Sequence, residues 1–149
     1  MKDLLDTLDE KEERQLPHSE LTKVILGCCF EVMKELGPGF FEKIYKNALL
    51  LAMREKGLQV ETERPFEVTF RKKVIGRYNA DLVIDNKVIV ELKCCENLIR
   101  EHQAQVFNDL RVSQLPIGLL VNFRYRKLEY QRLHQSKTDE ENAKEILPF

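Results

Sequence analysis

Asp81-Leu82-Val83-Ile84-Asp85-Asn86-Lys87-Val88-Ile89-Val90-Glu91-Leu92-Lys93 reads as two apolar strands around a short turn. An acid opens the first strand, and an acid and a lysine close the second. Side chains alternate across a strand, so Glu91 and Lys93 share one face while Val90 and Leu92 take the other. Residues opposite each other in an antiparallel pair share a face. Asp81 therefore joins Glu91 only if Ile84 lies opposite Val88 and Asp85-Asn86-Lys87 forms a three-residue loop. A two-residue turn would send Asp81 to the wrong side. The same register places Val83 beside Ile89 on the acidic face and Leu82 beside Val90 on the other.

Two carboxylates at that separation repel, and burying them at the edge of an apolar sheet is costly unless a cation lies between them. Oxygen ligands favour magnesium or manganese, and magnesium is commonly held by one or two carboxylates together with substrate phosphates. Asp81 and Glu91, with the Leu92 carbonyl, suit that mode, and the fit is to phosphodiester chemistry. Lys93 could hold an attacking water or neutralise charge on phosphorus. The plain alternative, a surface Glu-Lys pair beside an unrelated Asp, is the commoner arrangement in an arbitrary chain.

Outward from this core, Val24, Ile25, Cys28, Cys29, Val32, Met33 and Leu36 recur at three and four, predicting an amphipathic helix capped by Ser19 or Thr22 and stopped by Gly37-Pro38-Gly39. A second helix is expected from Phe40 or Phe41 to Gly57, with Ile44, Tyr45, Ala48, Leu49 and Ala52 on one stripe. After Pro65 the period changes. Phe66, Val68 and Phe70 alternate, and Val74 and Ile75 follow an Arg71-Lys72-Lys73 turn, which predicts a hairpin. Tyr78 to Ile84 and Val88 to Cys94 are the next strand pair. Helical spacing returns at Ile99, His102, Gln103, Val106, Phe107 and Leu110. Ile117 to Asn122 is a strand covered on both faces, and Leu128 to Leu133 a more exposed one.

The 149 residues, 43% hydrophobic and 33% charged, suit one compact domain, expected over 18–134, with a charged appendage over 1–17 and a charged tail over 135–149 that is helical around Glu140 to Ile146. A formal charge of −1 excludes a globally basic, histone-like binder, so a polyanion must meet a local basic patch. Arg71, Lys72, Lys73 and Arg77 form one such run, and Arg124, Arg126 and Lys127, interleaved by Tyr125, another. Both also read as solvated turns. No apolar run approaches the roughly 18 residues of a membrane span, and Met1 to Leu16 lacks the pattern of a secretory signal, so a cytoplasmic protein is expected. Cys28-Cys29 and Cys94-Cys95 are adjacent pairs. They lack the spacing of zinc ligands and read as reduced, mostly buried thiols.

Gly39-Phe40-Phe41-Glu42-Lys43-Ile44-Tyr45 fits a GxxExxY signature. With Leu36 to Phe40, the Gly76 to Asp81 strand (G-x-Y-x-A-D), Val88 to Lys93 (V-I-V-E-L-K) and Gly118 to Phe123, the chain from about His18 to Leu133 resembles the GxxExxY family of the PD-(D/E)xK nuclease superfamily. The resemblance implies an α/β restriction-endonuclease-like core, with a mixed central sheet flanked by helices and an extra N-terminal helix. It implies a nuclease acting on DNA or RNA with Mg2+ or Mn2+ held by Asp81 and Glu91, Lys93 as catalytic lysine, and Glu42 as an acid that binds metal or orients its water. Gln105 matches a glutamine used beside the metal in several branches. Tyr45 and His102 are accessory candidates. A purely structural Glu42 at a helix start, and a merely hydrogen-bonded His or Gln, are the plain readings. Asp109 stands where the family often has Tyr, adding a negative charge near a phosphate path. So small a domain would draw specificity from a homodimer or a protein partner. The alternative function is a catalytically weak or inactive nuclease-fold module that binds nucleic acid or a protein.

Overall fold

A computed structural model describes residues 18–135. The expectations for 1–17 and for a helix near Glu140 to Ile146 lie outside these residues. The elements run α1 (Ser19–Leu36), α2 (Glu42–Glu55), β1 (Val60–Phe70), β2 (Lys73–Ile84), β3 (Val88–Lys93), α3 (Arg100–Ser113), β4 (Ile117–Asn122) and β5 (Glu129–His134). The five strands form one sheet in sequence order. The β3–β4 pair is parallel, joined through α3, and the other pairs are antiparallel.

The helices cover both faces, so the core is two apolar layers with the sheet between them. On one side α1 and α2 bury Ile25, Cys28, Cys29, Met33, Tyr45, Leu49 and Met53 against Leu82, Ile84, Val90, Leu92, Leu119 and Val121. On the other, α3 packs Val106 and Leu110 over Val83, Ile89 and Leu120. Burial on both faces explains why every residue of β4 is apolar or hydrogen-bonded. Val24, Leu36 and Ile44, expected on the buried helical stripes, are exposed: Val24 and Ile44 lie at the edge of their stripes, and Leu36 is the last residue of α1. Ser19 is the first helical residue of α1. Its N-cap is His18, left-handed at φ 58 with no side-chain cap, while the Thr22 hydroxyl donates to the Ser19 carbonyl at 3.0 Å.

The β2–β3 register is the expected one, with Leu82 opposite Val90, Val83 opposite Ile89 and Ile84 opposite Val88. Asp85 and Asn86 take left-handed angles in the loop, and Asp85 Oδ1 accepts the Gln59 N–H at 2.9 Å. Two expectations need correction. Strand β1 begins at Val60 and runs through Pro65, which an edge strand tolerates because its missing N–H can face solvent. Strand β2 is continuous from Lys73, so Val74-Ile75 and Tyr78 to Ile84 are one strand, and the first hairpin is a long ribbon turning at left-handed Arg71 and Lys72.

Gly118 sets how closely α3 approaches the sheet. A Cβ built there would stand 2.5 Å from Val106 Cγ1. Gly118→Ala therefore forces α3 outward and is expected to cost about 1–3 kcal/mol, read as a fall of several degrees in the thermal midpoint.

Candidate active site

The β2–β3 ladder stops at Leu82 and Val90, one pair short of Asp81 and Glu91. Beyond it the Asp81 carboxylate takes the place of a ladder acceptor, with Oδ2 accepting the Leu92 N–H at 3.1 Å. On its other side Asp81 stands level with Glu63, which is left-handed at φ 52 and drops out of the β1–β2 pairing before it resumes at Arg64 and Ala80. Both neighbours thus loosen where the acid sits. Alternation along β3 puts Glu91 and Lys93 on the α3 side, with Ile89.

Burial, and after it the charge of Asp81, pushes the Glu91 carboxyl up to about 8. The hydroxyl of Tyr78 is hydrogen-bonded to Glu91 Oε1 and opposes that rise. Tyr78 also reaches Asp109 on α3, and burial together with these two acids holds its hydroxyl well above the usual range, so it stays protonated. Asp109 is 6% exposed. Burial lifts its carboxyl to about 6, with Tyr78 and Lys93 pulling down and Asp81 pushing up. Asp109 Oδ2 is buried without a hydrogen-bond partner. The sequence reading missed this Tyr78–Glu91–Asp109 connection. A signal existed, since Asp109 lies three residues after Val106 on the buried face of α3.

Glu42, in the first turn of α2, enters from the other side of the sheet. Partial burial and then the charge of Asp81 raise its carboxyl, while Lys93 and Lys46 oppose the rise. Glu42, Asp81, Glu91 and Lys93 therefore share one electrostatic environment at the C-terminal end of β3. A cleft of about 540 Å³ opens on the α2 side of this strand end, lined by Glu42, Lys43, Lys46, Asn47, Asp81 and Leu92 among others, while Glu91 and Lys93 do not line it. Lys43, Lys46 and Asn47 were not singled out from the sequence, although their three- and four-residue spacing places them together on α2. Lys46 is ion-paired with Glu63.

The family model of the PD-(D/E)XK nuclease superfamily matches residues 19–133. The chain belongs to that superfamily. Its mixed five-stranded sheet and three helices are consistent with the restriction-endonuclease-like core of such nucleases. No curated protein and no solved structure matches the chain significantly. PD-(D/E)XK nucleases generally use divalent metals. Among the described residues, no three or more His, Cys, Asp or Glu side chains close around one point. A cation would rest on one or two carboxylates plus water and substrate oxygens, which is the mode magnesium favours. The half-buried, all-oxygen set of Asp81 and Glu91, with Asp109 Oδ2 unsatisfied nearby, fits that requirement.

The other sequence candidates of this nuclease-superfamily chain lie in varied places. Tyr45 is buried away from the acids. Its hydroxyl donates to the Gly37 carbonyl at 2.6 Å and accepts the Phe40 N–H at 3.2 Å, and its ring stacks on Phe123. Tyr45→Phe would leave two backbone groups short of a partner and is expected to cost about 1–3 kcal/mol, measured by urea denaturation. His102 Nδ1 accepts the Ile99 N–H at 3.0 Å, a helix-capping role. Gln105 is exposed on α3, one turn before Asp109, whereas Gln103 points into the fold and bonds Gln131. Asn122, at the end of β4, staples the loop after Lys93 through the Cys95 backbone, at 2.9 and 3.1 Å.

The two basic runs are far apart. Arg124, Arg126 and Lys127 are exposed on the loop following β4, and Arg124 contributes to the surroundings of Cys94, next to Lys93. Arg71, Lys72, Lys73 and Arg77 are exposed at and near the ribbon tip, with Lys73 about 25 Å and Arg77 about 13 Å along β2 from Asp81 at 3.3 Å per residue. The four cysteines are free thiols, Cys28 and Cys29 buried and Cys94 and Cys95 half-buried. Among the described residues no helix is long and apolar enough to cross a membrane.

Proposed function

We propose that this domain hydrolyses phosphodiester bonds in DNA or RNA with magnesium or manganese at Asp81 and Glu91, and that it is a GxxExxY-type nuclease, as its Gly39-to-Tyr45 signature suggests. The observation that carries the reading is the convergence of Asp81, Glu91, Lys93 and Glu42 at one strand end, with the carboxyl of Glu91 pushed up to about 8.

A bound cation would supply Lewis acidity and a water of lowered pKa. Lys93 places its ammonium where negative charge builds on the phosphoryl oxygens. Glu42, its carboxyl raised and at the cleft mouth, is suited to take a proton from the attacking water. Gln105, exposed on α3 one turn before Asp109, would contact the substrate there. Lys43 and the Arg124–Lys127 loop would receive the phosphate backbone near the reaction, and the Arg71–Arg77 ribbon farther along it.

The test is nicking of supercoiled plasmid in magnesium or manganese by the wild type, Asp81→Ala and Lys93→Ala. Metal-dependent nicking that disappears in both variants is expected. Cleavage unchanged in the variants would assign the activity to a contaminant. Absence of cleavage on duplex, single-stranded and branched substrates would replace this reading by that of a non-catalytic binding module.

A further inference from the structure

The rim beside Glu42 and Lys93 is made by two loops, residues 37–41 between α1 and α2 and residues 124–127 after β4. Tyr45 holds the first from beneath through Gly37 and Phe40, while Gly37 and Gly39 take the left-handed angles (φ 72 and 110) that turn the chain. Phe40 meets the Tyr45 ring edge to face at 6.1 Å. Tyr45 in turn stacks on Phe123 at 5.0 Å, the residue that leads into Arg124-Tyr125-Arg126-Lys127. The Arg126 guanidinium lies against Gly37, 3.6 Å from where a Cβ there would stand. The Cys94 Sγ is 4.0 Å from the Phe40 carbonyl oxygen, which ties the first loop to the strand end carrying Lys93.

This braced frame turns large rings toward water. Phe41 is 85% exposed, Tyr125 49% and Phe40 47%. Around them Lys43, Arg124, Arg126 and Lys127 are exposed, and neither loop contains an acid. Rings left in solvent among cations, on loops fixed by a buried tyrosine, match a ligand with flat apolar faces strung on a polyanion. Unpaired nucleobases have that chemistry. Every base offers a π-face, and the phosphates follow the cations. In a duplex those faces are already stacked on their neighbours, leaving the protein rings nothing to cover them.

The geometry points to a base-stacking platform in which Phe40, Phe41 and Tyr125, with Arg124, Arg126 and Lys127, seat a single-stranded stretch of nucleic acid at the edge of the Asp81–Glu91–Lys93 site. The substrate is then single-stranded, or carries a flap or gap at the scissile phosphate. The substrate statement rests on the nuclease reading; the binding statement does not.

The experiment is fluorescence anisotropy in EDTA with the full chain, using a labelled oligothymidine of about 20 nucleotides, longer than the usual single-strand site, and a blunt duplex of similar length. The single strand is expected to bind at least about tenfold more tightly. Phe41→Ala and Tyr125→Ala are each expected to weaken it roughly 5- to 100-fold, the range for loss of one stacked base. Phe41→Tyr and Tyr125→Phe keep the ring and keep the affinity. Both positions are exposed, so thermal midpoints should match the wild type. Single-strand affinity indifferent to both alanines, or a preference for duplex, overturns the platform. Without metal the two readings separate. Ring-dependent single-strand binding without any cleavage keeps the platform and sinks the nuclease. Cleavage that needs Asp81 and Lys93 but ignores Phe41 and Tyr125 does the reverse.

Discussion

Lys93→Ala is expected to lower metal-dependent cleavage by roughly 10²- to 10⁴-fold while leaving the metal concentration for half-activity the same or lower. The lysine stands one strand step beyond Glu91, on the same face, and opposes the raised carboxyls of both Glu42 and Asp109. Its charge is therefore available to a phosphoryl group but competes with a cation for the acids. Removing it takes away stabilisation that grows with charge in the transition state and relieves that competition, so the loss falls on turnover. Asp81→Asn should behave differently. Its side-chain carbonyl can still accept the Leu92 N–H, so the strand end keeps its shape. The charge that lifts Glu91 is gone, and metal affinity falls with activity. In the absence of metal this variant should melt no lower than the wild type, because two half-buried carboxyl groups no longer face each other. Single-turnover cleavage against manganese concentration, with melting curves beside it, reads all of these. A Lys93→Ala protein as active as the wild type would remove Lys93 from the chemistry.

Metal affinity is expected to rise by up to tenfold per pH unit between about pH 6 and 8, roughly a hundredfold across that window, because one proton must leave Glu91 for each cation bound. The carboxyl is pushed up to about 8 by burial and by Asp81, from an ordinary value of 4.5. Between those values the folded chain holds a proton that the unfolded chain has released. The folded state therefore binds more protons, and Glu91 makes the metal-free protein lose stability as pH rises through the window. Saturating manganese removes that slope, since Glu91 is then unprotonated in the folded and the unfolded chain alike. Calorimetric titration in two buffers of different ionisation enthalpy counts the protons released, and melting curves against pH should fall in EDTA and lie flat in manganese. Glu91→Gln has no proton to lose and should flatten the EDTA curve over this range. A metal affinity independent of pH from 6 to 8 would show that Glu91 is not a ligand.

Glu91, Lys93 and the β2–β3 register were legible because strand alternation and the length of the Asp85-Asn86-Lys87 loop are local properties, readable over thirteen consecutive residues. The periodic stripes of α1, α2 and α3 and the unbroken apolar run of β4 were legible for the same reason. Tyr45 shows where locality ends. Three residues along a helix turn the chain by about 300°, so Tyr45 sits some 60° round from Glu42. Neighbouring α1 and Phe123 put one of the two in the core and the other at the cleft mouth. Nor could spacing show that Tyr78 would close on both Glu91 and Asp109, since β2 and α3 meet only after α3 settles over Gly118. The rise of the Glu91 carboxyl, and the gathering of Phe40, Phe41 and Tyr125 at one rim, likewise belong to packing between distant segments. Backbone periodicity carries the elements and the faces of their residues. Burial, and with it the charge state and reach of each site group, exists only once the layers have closed.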